Sequence, residues 1–162
     1  MFTQPPTFVY RPFPARAAAL VLLLAATACS EASAPVADLE IAASRWAREG
    51  ALDYQFVLDR TCECLVTGPV LVTVADDEVV GALALEGSSA PGSRPDPANF
   101  PGIDQLFEQL RFALDSDPLR FEVSYDDEIG VPAHADIDIS TDVADDEILF
   151  TISDYAPHER VE

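Results

Sequence analysis

The spacing of apolar residues between Ile103 and Leu114 is the feature that most constrains what this 162-residue chain can fold into. Six residues recur at the period of one helix face: Ile103, Leu106, Phe107, Leu110, Ala113 and Leu114. Pro118 ends this predicted helix, because proline cannot continue the backbone hydrogen bonding. Segments with the alternation of strands occur on both sides of it, which predicts an α+β domain.

One further helix and three strands are predicted before this helix. The helix begins at Asp38, a residue typical of an N-cap, and stops at Gly50. Alternating apolar and polar residues or β-rich runs predict strands over residues 54–58, 70–74 and 79–85. Asp76 and Asp77 separate the last two, as expected for a hairpin turn.

Three more alternating segments follow Pro118, over residues 121–125, 135–139 and 148–152. We therefore predict a single domain over residues 38–156, with an antiparallel sheet of about six strands and two helices in the order α-βββ-α-βββ, and a tail over 157–162. Residues 74–80 also resemble residues 143–149, which lie 69 positions later. Two interpretations remain open: two αβββ units side by side, or convergence of acidic turns.

Residues 86–102 contain four prolines among glycine, serine and asparagine, and they show no helical or strand period. They are therefore predicted to form a long loop without secondary structure of its own. Loops of this length in compact domains are either mobile or functional.

Cys29 follows an N-terminal segment that is typical of an export signal. Arg11 and Arg16 precede an apolar run of about 10 residues, too short to span a bilayer, and Ala26, Thr27 and Ala28 stand directly before the cysteine. We predict a signal peptide over residues 1–28, a lipid on Cys29 and a tether over 29–37. The domain would be anchored in the cell envelope, at the outer membrane if two membranes are present. The alternative is an ordinary secretory cleavage site and a secreted or periplasmic protein.

The formal net charge of −20 limits the classes of partner. The chain has 29 acidic residues against nine arginines and no lysine. Because this charge repels phosphates, direct binding of nucleic acid or anionic lipid headgroups is excluded. Membrane contact is expected through the lipid on Cys29, and an envelope protein is a further candidate partner of unknown identity.

Cys62 and Cys64 form a thiol pair outside the cytoplasm if Cys29 carries a lipid. An even pair in an oxidising compartment predicts a disulfide between them. Two residues of the same strand face lie near the upper distance limit for a disulfide, so the chain must bend there. A thiol oxidoreductase site and a Cu(I) site are the alternatives.

The acidic segment before the last strand has part of the spacing of a calcium-binding loop. The weak candidate ligands are Asp136, Asp138, Asp142 and Glu147. Thr141 occupies the position that needs glycine, and the flanking residues alternate like strands rather than helices. The alternative, which we favour, is that Asp136 and Asp138 lie on the solvent face of a strand.

No motif for nucleophilic, metal-dependent or phosphate chemistry is present, and His134 and His158 lie in no catalytic spacing. The sequence therefore predicts neither enzymatic activity nor a cofactor. The predicted function is a non-catalytic lipoprotein of the bacterial cell envelope, a binding or structural module. The alternatives are a calcium- or copper-binding envelope protein and, less favoured, a thiol oxidoreductase.

Several short motifs together resemble one family. In chain order they are Tyr54-Gln55-Phe56, Cys62-Glu63-Cys64, Gly68-Pro69 with the strand over 70–74, Phe107, Tyr125, Gly130-Val131-Pro132, Ile137-Asp138 and Asp145-Asp146-Glu147. Over roughly residues 44–155 they resemble the domain of unknown function family 6174, small bacterial secreted or lipid-anchored proteins. The resemblance implies export and one small domain, and it brings no reaction and no catalytic residue.

Overall fold

Six antiparallel strands form one sheet that is covered by two helices in a computed structural model of the chain. The structure describes residues 34–61, 64–140 and 147–158. The helices are α1 (Ala34–Glu49) and α2 (Ile103–Asp115), and the strands are β1 (Tyr54–Thr61), β2 (Gly68–Ala75), β3 (Glu78–Ala84), β4 (Arg120–Tyr125), β5 (Pro132–Asp138) and β6 (Glu147–Pro157). This confirms the α+β class and the order α-βββ-α-βββ.

The core lies between one face of the sheet and the two helices. Tyr54, Phe56 and Leu58 alternate as buried residues along β1, and Trp46 of α1 packs edge-on against Tyr54 with ring centroids 5.2 Å apart. The predicted apolar face of α2 is buried as expected: Ile103, Leu106, Phe107, Leu110 and Ala113. Burying a side chain as large as Leu or Phe contributes about 1.5–3 kcal/mol.

The predicted hairpin is confirmed by the antiparallel pairing of β2 with β3. Asp76 and Asp77 connect the strands with φ angles of 49° and 65°. Two successive residues with positive φ are the mark of a type I′ turn, whose twist matches that of the paired strands. Aspartate tolerates this conformation better than most residues, which explains why these two positions carry it.

The first helix is longer than predicted. α1 begins at Ala34 rather than at Asp38, so Asp38 lies inside the helix and the end of the predicted tether is helical. Pro35 is compatible with this start, because the first turn of a helix has no use for its missing N–H. Gly50 follows the helix as predicted and donates its N–H to the carbonyl of Trp46 at 2.7 Å.

The segment over residues 86–102 is more ordered than predicted. Ala84 donates its N–H to Ser93 at 3.0 Å and accepts one from Gly92 at 2.8 Å, which ties the segment to the end of β3. A short 3₁₀ helix (Pro97–Asn99) follows. Hydrogen-bonded turns have no repeating apolar period, so the sequence pattern did not reveal them.

The strand order β3-β2-β1-β6-β5-β4 bears on the two-unit interpretation. The first group of three strands begins at the centre of the sheet with β1, whereas the second group ends there with β6. Leu58 and Ile152 are paired across these strands and both are buried, so both groups face the core with the same side. Each group can be viewed from the core side with its first strand pointing up. In this view one group adds its later strands to the left and the other adds them to the right. The two groups therefore have opposite hand, and no rotation superimposes them. This geometry favours convergence of the acidic turns.

Among the described residues, no helix has the length and apolar character needed to cross a membrane.

Candidate functional site

A groove of about 700 Å³ lies at one end of the sheet, where β1 ends and β6 begins next to α2 and the 3₁₀ helix. Arg60 lines this groove and also two smaller cavities, of about 150 Å³ and 80 Å³. We call it the Arg60 groove. Its volume is in the usual range for small-molecule and peptide-side-chain sites.

Arg60 occupies a core-facing position of β1. It follows Tyr54, Phe56 and Leu58 in the same alternation, and its pairing partner on β6 is the buried Phe150. Arg60 is only partly buried and lines the groove together with residues of α2, so it does not pack in the closed core. The strand alternation therefore places a charged residue at the margin of the apolar core.

The guanidinium of Arg60 is held by the chain around the 3₁₀ helix. Its Nη2 donates to the carbonyl oxygen of Asn99 at 3.0 Å, and its Cζ lies 4.6 Å from the centroid of the Phe100 ring. A cation over an aromatic face contributes about 0.5–2 kcal/mol, depending on how far it is desolvated. These contacts fix the direction of the side chain.

Arg60 is also partly desolvated without an acidic partner. Burial lowers the pKa of this guanidinium below its usual value. Its Nε–H is buried and makes no hydrogen bond within the described residues. The ion pairs that the described part of the chain contains are Arg111 with Glu40 and Arg120 with Asp136. Arg60 therefore carries a charge that its own surroundings compensate only in part.

Asp96 organises the part of the loop that contacts Arg60. Its Oδ1 accepts a hydrogen bond from the N–H of Ala98 at 3.1 Å, so it caps the 3₁₀ helix that begins with Pro97. The cap and the fixed φ of proline start the short helix, and Phe100 directly after it is 4% exposed. The predicted unstructured loop thus contributes a wall of the site.

The opposite wall comes from one side of α2. The residues that face the groove there are Gln105, Glu108, Gln109 and Phe112, at the helical spacing of one face. Phe112 is 70% exposed, which is unusual for a phenylalanine on a packed helix. Ile148 of β6 and Ile139, which directly follows β5, add apolar surface, and Glu147 contributes a second carboxylate in addition to Glu108. The groove therefore combines one cation, amide groups, apolar surface and two exposed acids.

The residues with predicted thiol or lipid chemistry lie mostly outside the described residues. Cys29 and Cys62 both lie there, so the lipid and the disulfide stay predictions. The Sγ of Cys64 lies 3.2 Å from the carbonyl oxygen of Val66. Cys64 also lines the smallest of the three cavities together with Arg60.

The predicted calcium ligands are only partly brought together. Asp136 pairs with Arg120 at 2.7 Å, while Asp138 is the cross-strand partner of Glu147 in the β5–β6 ladder. Asp142 lies outside the described residues. The flanking segments are strands, as the sequence indicated, and the described residues contain no group of three or more potential metal ligands. Metal binding stays a prediction without a described site.

Arg60 is the residue that sequence reasoning missed. A signal for it exists, because an arginine at the fourth core-facing position of a strand that already carries Tyr54, Phe56 and Leu58 breaks the apolar alternation. A charge on a core-facing position needs either a partner or an opening. Segments that are distant in the chain decide whether Arg60 has a charged partner or an opening to solvent.

Comparison with known proteins gives one match. The model of the family of unknown function DUF6174 matches residues 38–157. No curated protein and no solved structure matches the chain.

Proposed function

The chain belongs to the family of unknown function DUF6174, and on this premise we propose that it is a non-catalytic lipoprotein of the bacterial cell envelope that binds a ligand in the Arg60 groove. The lipid would be attached to Cys29, so that the domain is held at the membrane while the groove stays open to the surroundings. The groove is the observation that carries the binding role.

The composition of the groove supports binding rather than a purely structural role. Arg60 keeps its charge partly out of water, which is costly in a free domain, and the exposed Phe112 offers apolar surface in the same groove. A bound ligand would cover the apolar surface of Phe112 and compensate the charge of Arg60. Sites that combine apolar walls with a few fixed polar groups are the usual form of ligand sites.

Site-specific photocrosslinking in cells that express the full chain tests this function. A photoreactive benzoylphenylalanine replaces Phe112 in the groove, and in a matched control it replaces Ile41, which is 57% exposed on α1 and outside the groove. We expect an adduct at position 112, seen as a gel shift or as a mass increase of the peptide that carries this position. The same adducts from position 41, or none at position 112, would contradict a ligand-binding groove.

A further inference from the structure

We propose that the ligand of the Arg60 groove is a carboxylate that carries an apolar group, such as the free C-terminus of a peptide with an apolar last residue. This inference rests on the proposed binding function and names its ligand class. It follows from the unused donors of Arg60, the charges around it and the apolar walls of the groove.

The guanidinium has donors to spare. Of the five N–H donors of an arginine side chain, the described contacts use the Nη2 donor to Asn99. The buried Nε–H makes no hydrogen bond within the described residues. A guanidinium offers paired donors in a planar fork that matches the two oxygens of a carboxylate. We expect a bound carboxylate to accept from the donors that Asn99 leaves unused, while Arg60 keeps its contact with Phe100.

The charge of Arg60 is unusual in this molecule. The chain carries a net charge of −20, so an arginine has many potential acidic partners. Nevertheless no carboxylate lies within ion-pair distance of Arg60 among the described residues, although it is the more desolvated of the arginines with a shifted pKa. A bound anion would supply this missing partner, and a half-buried charge gains more from it than an exposed one.

The surrounding acids restrict the anion to a single charge. Glu108 and Glu147 line the same groove and are both exposed. They would repel a doubly charged phosphate more strongly than a carboxylate. The field of the whole acidic domain acts in the same direction. Of the common biological anions, a monocarboxylate therefore fits this groove best.

The rest of the ligand is expected to be apolar. Phe100, Phe112, Ile139 and Ile148 line the groove on three sides, and about 700 Å³ is room for a side chain and one or two peptide units. The amide side chains of Gln109 and Asn99 lie at the same groove and suit the hydrogen bonding of a peptide backbone. A fatty acid also combines a carboxylate with an apolar group. The experiment below distinguishes a fatty acid from a peptide C-terminus.

Isothermal titration calorimetry on the purified full chain tests the proposal. The probes are an acetylated tripeptide that ends in leucine with a free carboxylate, the same peptide with an amidated end, and hexanoate. We expect the free-acid peptide to bind and the amide to bind at least about tenfold more weakly, because a charge-assisted pair is lost. Binding of hexanoate instead of the peptide would support the carboxylate chemistry and assign its source to acyl chains.

Variants locate the binding in the groove. Arg60→Gln should weaken binding about tenfold or more, and Arg60→Lys should recover only part of it, because lysine keeps the charge and loses the fork. Phe112→Ala should weaken binding without changing the melting temperature, since this side chain is exposed. The matched control is Arg94→Gln, which removes the same charge from an exposed position outside the groove.

The outcomes are distinct from those of the crosslinking experiment. If no carboxylate binds, or if Arg60→Gln and Arg94→Gln have equal effects, the carboxylate proposal is wrong. An adduct at position 112 would then still show that the groove binds a ligand of another class. If Arg60→Gln does not fold, judged by its melting curve, the amidated peptide and Phe112→Ala decide the question.

Discussion

Gly130 shows how one residue holds the sheet against a helix. It ends the turn between β4 and β5 with a φ of 84°, in the left-handed region that glycine adopts without strain. A Cβ at this position would lie 2.2 Å from the carbonyl oxygen of Ala42 and 3.0 Å from the backbone nitrogen of Trp46. Because α1 backbone occupies this space, no rotation of a side chain can relieve the contact.

We predict that Gly130→Ala lowers the free energy of unfolding by about 3 kcal/mol or more, which combines the strain of positive φ with the displacement of α1. The control is Gly92→Ala, at a φ of 77° with no atom within 4 Å of the added Cβ, which should cost about 1–2 kcal/mol. Urea denaturation measures both. Equal losses would show that the contact with α1 contributes nothing.

At the scale of elements, the start of α2 is tied to α1, β1 and the β2–β3 turn. The N–H of Ile103 donates to the hydroxyl oxygen of Tyr54 at 3.0 Å, and Nε1 of Trp46 donates to Oδ2 of Asp104 at 3.2 Å. Desolvation and a hydrogen bond with Asp104 raise the pKa of Asp77 above its usual value of 3.8. The side chain of Asp77 in the turn is thus coupled electrostatically to the first turn of α2.

This raised pKa makes stability depend on pH with a definite sign. The protonated Asp77 is favoured in the folded state, so its contribution is fully present below pH 3.8 and is lost as the pH rises through the folded-state pKa. Above that pKa, Asp77 and Asp104 repel each other. The repulsion is modest because Asp77 is exposed and water screens it.

We expect Asp77→Asn to raise the free energy of unfolding at pH 7 by a few tenths of a kcal/mol, since the amide donates to Asp104 at every pH. The gain in the free energy of unfolding from Asp77→Asn should disappear near pH 3.5, where Asp77 of the unmodified protein is protonated. The control is Asp117→Asn, also at positive φ, which accounts for the preference of asparagine for this conformation. Thermal unfolding between pH 3.5 and 7 would contradict the assignment if both variants changed in parallel.

At the scale of the whole molecule, the net charge and the proposed lipid on Cys29 together give the proposed location of the protein. We expect a net charge of −20 to give the protein no affinity of its own for an anionic membrane surface. Retention at a membrane therefore has to come from acyl chains, which contribute about 0.8 kcal/mol for each buried CH₂ group. The proposed lipoprotein thus depends on Cys29 alone for its attachment.

We predict that the protein partitions into the detergent phase of a Triton X-114 extraction and that Cys29→Ser moves it to the aqueous phase. Cys62→Ser removes a different thiol and should leave the partition unchanged. Immunoblots of the two phases measure the result. Detergent-phase recovery of Cys29→Ser, or a wild-type protein found wholly in the aqueous phase, would rule out the lipid on Cys29.

Local sequence was sufficient for the identity and order of the elements. The period of Ile103, Leu106 and Leu110 and the alternation of Tyr54, Phe56 and Leu58 predicted a helix and a strand that the structure contains. The turn at Asp76 and Asp77 was equally visible. Each of these features depends on residues close together in the chain, because the helical period and the strand alternation are local properties of the backbone.

The tertiary structure alone decided the strand order, the opposite hand of the two strand groups and the existence of the site. Arg60 and Asn99, which meet at the groove, are 39 residues apart in the chain. The Gly130 contact likewise joins a β-turn to the middle of α1. The sequence by itself determined a two-helix, six-strand α+β domain, since its signals are local. The groove arises where α2, the 3₁₀ helix and the ends of the strands meet around Arg60, and that depends on how distant segments pack.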